Sequence, residues 1–349
     1  MTDNSATLPP MTADNRTRPP WRPLVLLLAP LAAIMLALSL GRYGLTSAEL
    51  WAALSGDFST PQNAVAHTIL WQVRLPRIAA ALLVGGALAL SGATYQGLFR
   101  NPMVSPDILG ASAGAAFGAA LAILWSRSFV EVQLMAFGCG LAAVTTTTLI
   151  SRIIGRGRDP MLLLVLTGMV VSTLFAAFIS MIKFVADPYS KLPAITFWLM
   201  GGLSSVDGGD IGRLSLPLVL GTLPLLLLRW RLDVLSFGEE EAQALGLNTR
   251  RLRLLFILAA TLLTAAAVSV CGMIGWVGLI IPHLTRLLVG PDHHRLLPAT
   301  LLVGSTFLLL VDTLARCLFA LEIPLGILTA IVGAPFFLGL LLRGGRGWL

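Results

Sequence analysis

The chain has 349 residues, of which 56% are hydrophobic and only 12% are charged, and its mean hydropathy is +0.85. This composition excludes an ordinary water-soluble globular protein, which needs far more polar surface, and it indicates a polytopic membrane protein. The formal net charge of +7 could suggest a nucleic-acid partner. However, the arginines are scattered through the short gaps between apolar runs and form no basic face, a distribution typical of membrane-topology signals.

The first 23 residues are polar and contain five prolines, which predicts a disordered cytoplasmic tail that cannot form a core. The apolar run that follows, Leu24–Leu40, is longer than the roughly 7 to 15 residues of a secretory signal and lacks a convincing cleavage site. We therefore expect an uncleaved first membrane span. Residues 344–349 are predicted to form a second short cytoplasmic tail.

Ten apolar segments approach or reach the ~17 to 25 residues that a helix needs to cross a bilayer. They predict an all-α polytopic membrane protein in which residues 24–343 form one domain of about ten transmembrane helices. The sixth segment is short, and the eighth is interrupted by Pro282 and His283. The run Leu192–Leu203 is too short to span, so we predict a helix that lies at, or dips into, one membrane surface. The predicted spans are Leu24–Leu40, Ile78–Leu98, Ile108–Trp125, Val132–Ile150, Met161–Val185, Leu214–Leu228, Leu254–Cys271, Gly272–Val289, Leu296–Leu321 and Ile323–Leu342.

The positive charges predict the orientation of these spans. If the loops alternate between the two sides, the side that holds both termini carries 16 of the 24 Lys and Arg residues. Because Lys and Arg prefer cytoplasmic loops, both termini are predicted to be cytoplasmic.

The densest cluster of charge lies between the sixth and seventh spans, from Ser236 to Arg253. Ser236 and Glu239 have the S-x-x-E spacing of a helical capping box, Gly246 suits a left-handed position that ends a helix, and Asn248 can cap a second helix. One reading is a solvated loop with topology-determining arginines. The two-helix layout on the predicted cytoplasmic face favours the other reading, a docking element.

Other polar groups give weaker signals. Cys139, Cys271 and Cys317 lie in apolar runs and predict neither a disulfide framework nor a metal site. The adjacent His293 and His294 lack the geometry of a ligand pair, so we expect a solvated loop there. The run from 207 to 210, D-G-G-D, lacks the spaced ligands of a calcium loop and is predicted to be a turn.

Six stretches resemble one known family, the FecCD/BtuC-type permeases, which are the membrane subunits of type II ABC importers for iron chelates, haem and cobalamin. The resemblance covers about residues 24 to 343 in consistent order. The stretches are WQVRLPR (Trp71–Arg77), GATYQGLFRNP (Gly92–Pro102), SPDILGASAGAAFG (Ser105–Gly118), the charged segment Ser236–Arg253, IGWVGLIIPH (Ile274–His283) and LGILTAIVGAP (Leu325–Pro335).

The resemblance implies a multi-pass protein of the bacterial cytoplasmic (inner) membrane that pairs with a second permease copy, either identical or a paralogue. It also implies two separate ATPase subunits below and a periplasmic substrate-binding protein above. The chain has no G-x-x-x-x-G-K-S/T motif, so we expect no catalytic residue and no bound cofactor in it, with ATP and Mg²⁺ used by the partner ATPase. The coupling helices would fall on Ser236–Arg253, chiefly on Ser236, Glu239, Glu240, Ala242, Leu245, Gly246 and Arg250.

On the predicted outer face, the resemblance assigns binding-protein docking to Arg74, Arg77 and Arg316. A structural reading of these residues is also available. Interfacial arginines can reach the lipid headgroups, and Arg316 stands four residues after Asp312, the spacing of a helical ion pair.

Two further features concern the pathway. Asn101, Pro102 and Met103 match the family's cytoplasmic gate region, although the other half of that gate, Asp159–Leu162, departs from the polar sequence of the cobalamin permease. Glycines recur every four residues at Gly110, Gly114 and Gly118, which predicts a smooth stripe where another helix packs; a flexible gate is the alternative.

The stretches from Ser105 and from Leu192 to Gly201 favour an iron-siderophore complex as the cargo, with haem and cobalamin as alternatives. Two rival classes are an intramembrane enzyme and an ion-coupled secondary transporter. An enzyme would need a nucleophile with its base, or clustered metal ligands, and the sequence predicts neither. A secondary transporter would usually carry ionisable residues deep in several spans, whereas only Asp312 and Lys183 come close to that position.

Overall fold

A computed structural model describes residues 21–41, 43–155, 160–318 and 321–343. Within these ranges all regular structure is helical, which confirms the all-α class. The helices are α1 (Trp21–Ser39), α2 (Ser47–Ser55), α3 (Pro61–Thr68), α4 (Leu75–Leu98), α5 (Ala111–Leu124), α6 (Phe129–Ile154), α7 (Pro160–Val185), α8 (Lys191–Met200), α9 (Gly208–Leu227), α10 (Arg229–Phe237), α11 (Glu239–Ala244), α12 (Thr249–Cys271), α13 (Val277–Val289), α14 (His293–Cys317) and α15 (Leu325–Arg343).

Ten of these helices coincide with the ten predicted spans. Those containing α4, α6, α7, α9, α12 and α14 are long and apolar enough to cross a membrane, whereas α1, α5, α13 and α15 are apolar but offer shorter stretches. The helix α1 begins at Trp21, so the last three residues of the predicted N-terminal tail, 21–23, are helical. The remainder of that tail and the predicted tail 344–349 lie outside the described residues. The short helix predicted over Leu192–Leu203 is α8.

The third and eighth predicted spans begin too early. Gly110 has a φ of 89° and ends a short 3-10 turn, so α5 starts only at Ala111. Residues 272–276 are not helical, and both Gly272 and Trp276 have positive φ. By contrast, α13 continues through Pro282. The prolyl ring leaves the carbonyl of Gly278 without its helical donor, and Nε2 of Gln96 lies 3.5 Å from that oxygen.

Two helices on the predicted outer face have no counterpart among the predicted elements. The helix α2 begins with a capping box in which Thr46 and Glu49 exchange hydrogen bonds, and α3 follows with Pro61 in its first turn. A π-helical segment, Ile69–Arg74, joins α3 to α4. Apolar and polar residues are mixed in this segment, and no apolar run is long enough to span a membrane. Hydropathy alone therefore does not mark α2 and α3.

The helix α4 forms the centre of the bundle. Gly85 lies against the backbone of Gly304 in α14, and Gly92 lies against the backbone of Gly278 in α13, so that neither position has room for a Cβ atom. On another side, the Ser91 hydroxyl lies 2.7 Å from that of Thr264 in α12. Close backbone approach and interhelical hydroxyl contacts are the usual means of holding membrane helices together. Three spans, α12, α13 and α14, therefore pack directly on α4.

Candidate coupling surface and gate loop

The segment between α9 and α12 folds into two short helices, α10 and α11. Ser236 lies in the last turn of α10, where its hydroxyl donates to the Asp233 carbonyl at 2.6 Å. Gly238, with no side-chain cap, precedes α11. The predicted capping box between Ser236 and Glu239 is therefore wrong, because α10 runs through the serine and engages its hydroxyl.

The end of α11 and the start of α12 agree with the sequence prediction. Gly246 has a φ of 77°, in the left-handed region that favours glycine. The Asn248 side chain caps α12 by accepting from the backbone N–H of Arg251 at 3.0 Å. The glycine and the asparagine fix the sharp turn between α11 and α12.

The residues of this element separate into an inner and an outer face. Ala242 is completely buried and anchors α11 through its side chain. Phe237 and Leu245 are 77% and 69% exposed, and Glu240 and Arg250 are exposed beside them. We call Phe237, Glu240, Leu245 and Arg250 the coupling surface. Large exposed apolar side chains beside charges of both signs also occur at protein interfaces, and docking at this surface stays a prediction.

A polar contact joins this element to the start of α14. Asp233 Oδ1 accepts from the backbone N–H of His293 at 2.9 Å and lies 2.5 Å from its Nδ1. Partial burial favours the neutral carboxyl, but the hydrogen bonds from His293 outweigh it and hold the pKa of Asp233 below its usual value. An ionised Asp233 fixes the proton of His293 on Nδ1. His293 is buried in the first turn of α14, so the prediction of a solvated loop is wrong there, whereas His294 is exposed.

The other edge of the His293 ring touches α4. A Cβ atom on Gly97 would lie 2.5 Å from Nε2 of His293, so a larger residue there would displace the ring. Gly97 is near the inner end of α4, four residues before the predicted gate residue Asn101. Asn101, Pro102 and Met103 form an exposed turn in which the Asn101 side chain accepts from the Met103 N–H at 2.9 Å.

Residues of α10, of the start of α14 and of the predicted gate turn line one cavity of about 680 Å³. Asn101 and Pro102 lie on one side, and Ser236, Phe237 and His293 lie on the other. The cavity brings the coupling segment and the predicted gate turn together, although about 130 residues separate them in the chain. Of the other half of the predicted gate, Asp159 lies outside the described residues and Pro160 begins α7.

The three arginines assigned to docking lie near the predicted outer ends of α1, α4 and α14. Arg74 is 3% exposed; it donates to the Leu38 carbonyl and, at 2.5 Å, to that of Tyr43. Arg77 and Arg316 are 6% and 7% exposed, and both pair with the fully buried Asp312, at 2.9 and 3.3 Å. The i,i+4 ion pair expected from the sequence is thus present, and docking stays a prediction.

Arg77, Arg316 and Asp312 form a buried charge cluster with a fourth residue that was not predicted. Glu322, in the loop before α15, lies 3.0 Å from Nη1 of Arg77. No sequence spacing marks it, because 245 residues separate the partners. The cluster therefore contains two arginines and two carboxylates, and its formal charge balances.

The glycine stripe is used in part for packing. Gly114 and Gly118 of α5 lie against α6, where Cβ atoms would collide with the carbonyl groups of Cys139 and Met135. Gly110 precedes the helix and supplies a left-handed turn beside Ser172 of α7. The run from 207 to 210 is also local structure, because Asp207 and Asp210 form the capping box that starts α9.

Comparison with known proteins decides the class. The sequence profile of the FecCD transport family matches residues 27–343. The chain belongs to the FecCD transport family. It is a membrane-embedded permease subunit of an ABC importer. The alternative class of an ion-coupled secondary transporter, for which Asp312 and Lys183 were the candidate residues, is therefore excluded.

Two curated FecCD relatives and one solved structure extend the match. The molybdate import system permease protein MolB of Haemophilus influenzae is 43% identical, covering 93% of this chain and 95% of MolB. A probable iron chelatin transport system permease protein of Helicobacter pylori is 42% identical, covering 79% of this chain and 82% of that protein. A solved structure described as an inward-facing conformation of a metal-chelate type ABC transporter has a TM-score of 0.83 and 41% identity, covering 92% of this chain and 98% of its own.

Proposed function

We propose that two permease subunits, of which this chain is one, form the inner-membrane pathway of an importer for ferric siderophores. Two ATPase subunits would bind the coupling surface, and a periplasmic binding protein would deliver the cargo to the outer face. The observation that carries the proposal is the presentation of α11, with Leu245 exposed and Ala242 buried, between two spans of a FecCD permease. ATP and Mg²⁺ would be bound by the ATPases.

The contacts at the inner face suggest a route from ATP hydrolysis to the gate. Movement of an ATPase would displace α11 and with it α10. The Asp233–His293 pair would carry that displacement to the start of α14 and, through the His293 ring, to Gly97 at the end of α4. The turn Asn101–Met103 follows directly. Rigid helices joined by such contacts are the usual carriers of alternating access.

The proposed cargo is tested through the cognate binding protein. We expect it to bind a ferric siderophore, and liposomes holding the permease and its ATPase should then accumulate the iron complex only when ATP is present inside. Haem and cobalamin are the matched alternatives in the same assay. Selective uptake of either one would refute the siderophore proposal and leave the importer class intact.

A second candidate cargo is molybdate, a small oxyanion. It is favoured by one observation, the similarity to MolB over nearly the full length of both chains. Binding assays with molybdate and with iron-loaded siderophores separate the two cargoes, because an oxyanion and a large chelate do not compete for one pocket of the same shape. Tight binding of molybdate alone would replace the siderophore as the cargo.

A further inference from the structure

A groove of about 430 Å³ runs between α9 and α14 across α4. Its floor is α4 at Gly86 and Ala87. One wall is the face of α9 that carries Leu218, Thr222 and Leu226, and the other wall includes Leu301 of α14. All three helices belong to segments long and apolar enough to cross a membrane. The groove is therefore an apolar channel on the side of a transmembrane bundle.

The groove has the length of one lipid leaflet. It extends along α9 from Ser215 to Leu226, which is about 16 Å at ~1.5 Å per residue. A bilayer core is ~30 Å thick, so this is roughly half of it. Small residues create the depth, because a Cβ atom on Gly86 would lie 2.8 Å from the Ser305 hydroxyl. A single acyl chain matches both the apolar lining and the length.

The inner end of the groove carries positive charge. Arg229 and Trp230 begin α10, directly after α9 ends at Leu227. His294 lies in the first turn of α14, seven residues before Leu301 and so on the same side of that helix. The two helix ends meet, because Nη2 of Arg229 lies 3.0 Å from Nε2 of His294. Trp230 is exposed beside them. An arginine and a tryptophan at the end of an apolar groove are typical of the level of the lipid headgroups.

We propose that this groove binds one anionic phospholipid of the predicted cytoplasmic leaflet. Its acyl chain would lie between Thr222 and Leu301, and its phosphate would contact Arg229. The orientation follows from the charge, since Arg213 at the opposite end of α9 is already paired with Asp210 at 2.6 Å. A zwitterionic lipid would fill the same groove but gain less from the arginine. The proposal is independent of the cargo.

The test is native mass spectrometry of the full chain, purified and exchanged into phosphatidylglycerol or phosphatidylcholine. We expect preferential retention of phosphatidylglycerol, reduced about fivefold by Arg229→Gln, the effect of one basic side chain near an anionic surface. Thr222→Trp should fill the groove and abolish retention of either lipid. The matched control is Leu220→Trp, because Leu220 is exposed on α9 but does not line the groove.

Equal retention of the two lipids by the wild type would overturn the proposal, as would unchanged retention in Thr222→Trp. If Thr222→Trp proved unstable, Arg229→Gln would still decide the headgroup claim, since its site is at the surface. Disulfide capture of a second copy through Val219→Cys would show that another subunit covers the groove, and the lipid assignment would then be wrong.

Discussion

Asp233 Oδ1 lies 2.5 Å from Nδ1 of His293 and accepts from its backbone N–H, which joins α10 to the first turn of α14. The contact connects elements 60 residues apart in the chain. Because the opposite edge of the same ring rests on Gly97, one histidine touches the coupling segment and the inner end of α4. In the proposed route from the coupling surface to the gate turn, His293 is the residue that contacts both α10 and α4.

Replacing His293 by leucine should uncouple ATP hydrolysis from transport. The variant loses the hydrogen bond between the ring and Asp233 but keeps the backbone one and an apolar side chain. We therefore expect uptake per ATP to fall about tenfold, within the usual range of coupling between sites. His293→Asn should restore much of the coupling, because its amide can donate to Asp233. The readout is the ratio of transported cargo to hydrolysed ATP in liposomes.

The control for that experiment is the neighbouring residue. His294 also contacts the α9–α10 junction, through Arg229, but it is exposed and does not touch α4 in the described contacts. His294→Leu should keep the wild-type ratio. An equal loss in the two histidine variants would mean that general loosening of α14, and not the Asp233 contact, is responsible.

Removing the carboxylate of Asp312 should be strongly destabilising. Arg77 and Arg316 would be left buried without their shared counter-ion, and breaking a buried pair in this way costs about 3–5 kcal/mol. We expect Asp312→Ala to lower the melting temperature of the detergent-solubilised protein far more than Asp187→Ala, a change at an exposed loop carboxylate. Similar melting temperatures for the two variants would show that the cluster contributes nothing to stability.

The charge of Glu322 should compete with the binding protein for Arg77. If Arg77 docks to an acidic side chain, Glu322→Gln would release positive charge at the outer face and tighten docking. We expect a lower binding-protein concentration at half-maximal stimulation of ATP hydrolysis, by a factor of a few at low salt. Glu131→Gln, which changes an exposed carboxylate paired with Arg127, is the control. Weaker docking of Glu322→Gln would argue against a role for Arg77.

Adding a methyl group at Gly118 should destabilise the protein. An alanine there would collide with the carbonyl of Met135, and overpacking of this kind costs about 1–3 kcal/mol. Gly138 in α6 has open space around it, so Gly138→Ala should leave stability unchanged or raise it. Thermal melting of the two variants separates packing from helix propensity. Equal effects would mean that α5 and α6 are less tightly packed than the structure shows.

The sequence was informative wherever a property is local. Runs of apolar residues predicted the ten spans, Gly246 and Asn248 predicted the turn after α11, and the spacing of Asp312 and Arg316 predicted their ion pair. It misplaced the ends of spans where apolar residues continue into irregular backbone, as at Gly272–Trp276. The capping box at Ser236 was wrong because the pattern cannot tell a helix start from the last turn of the preceding helix.

The relationships that matter most for function are long-range. Asp233 with His293, and Arg77 with Glu322, have no periodicity in the sequence because the fold brings distant segments together. The outer helices α2 and α3 did have a local signal, the T-x-x-E capping box at Thr46. Hydropathy does not mark these helices, because neither contains an apolar run long enough to span a membrane.

The central claim is that transport is driven by an ATPase bound at the coupling surface. The most direct measurement compares uptake of the cargo by liposomes that contain this permease with its ATPase, using the wild type and Leu245→Asp. The matched control is Leu54→Asp, because Leu54 is an exposed leucine of α2 outside the predicted spans and away from that surface. We predict ATP-dependent uptake by the wild type and the control, and loss of both ATPase binding and uptake in Leu245→Asp. Uptake that needs no ATPase and follows an imposed ion gradient would contradict the account.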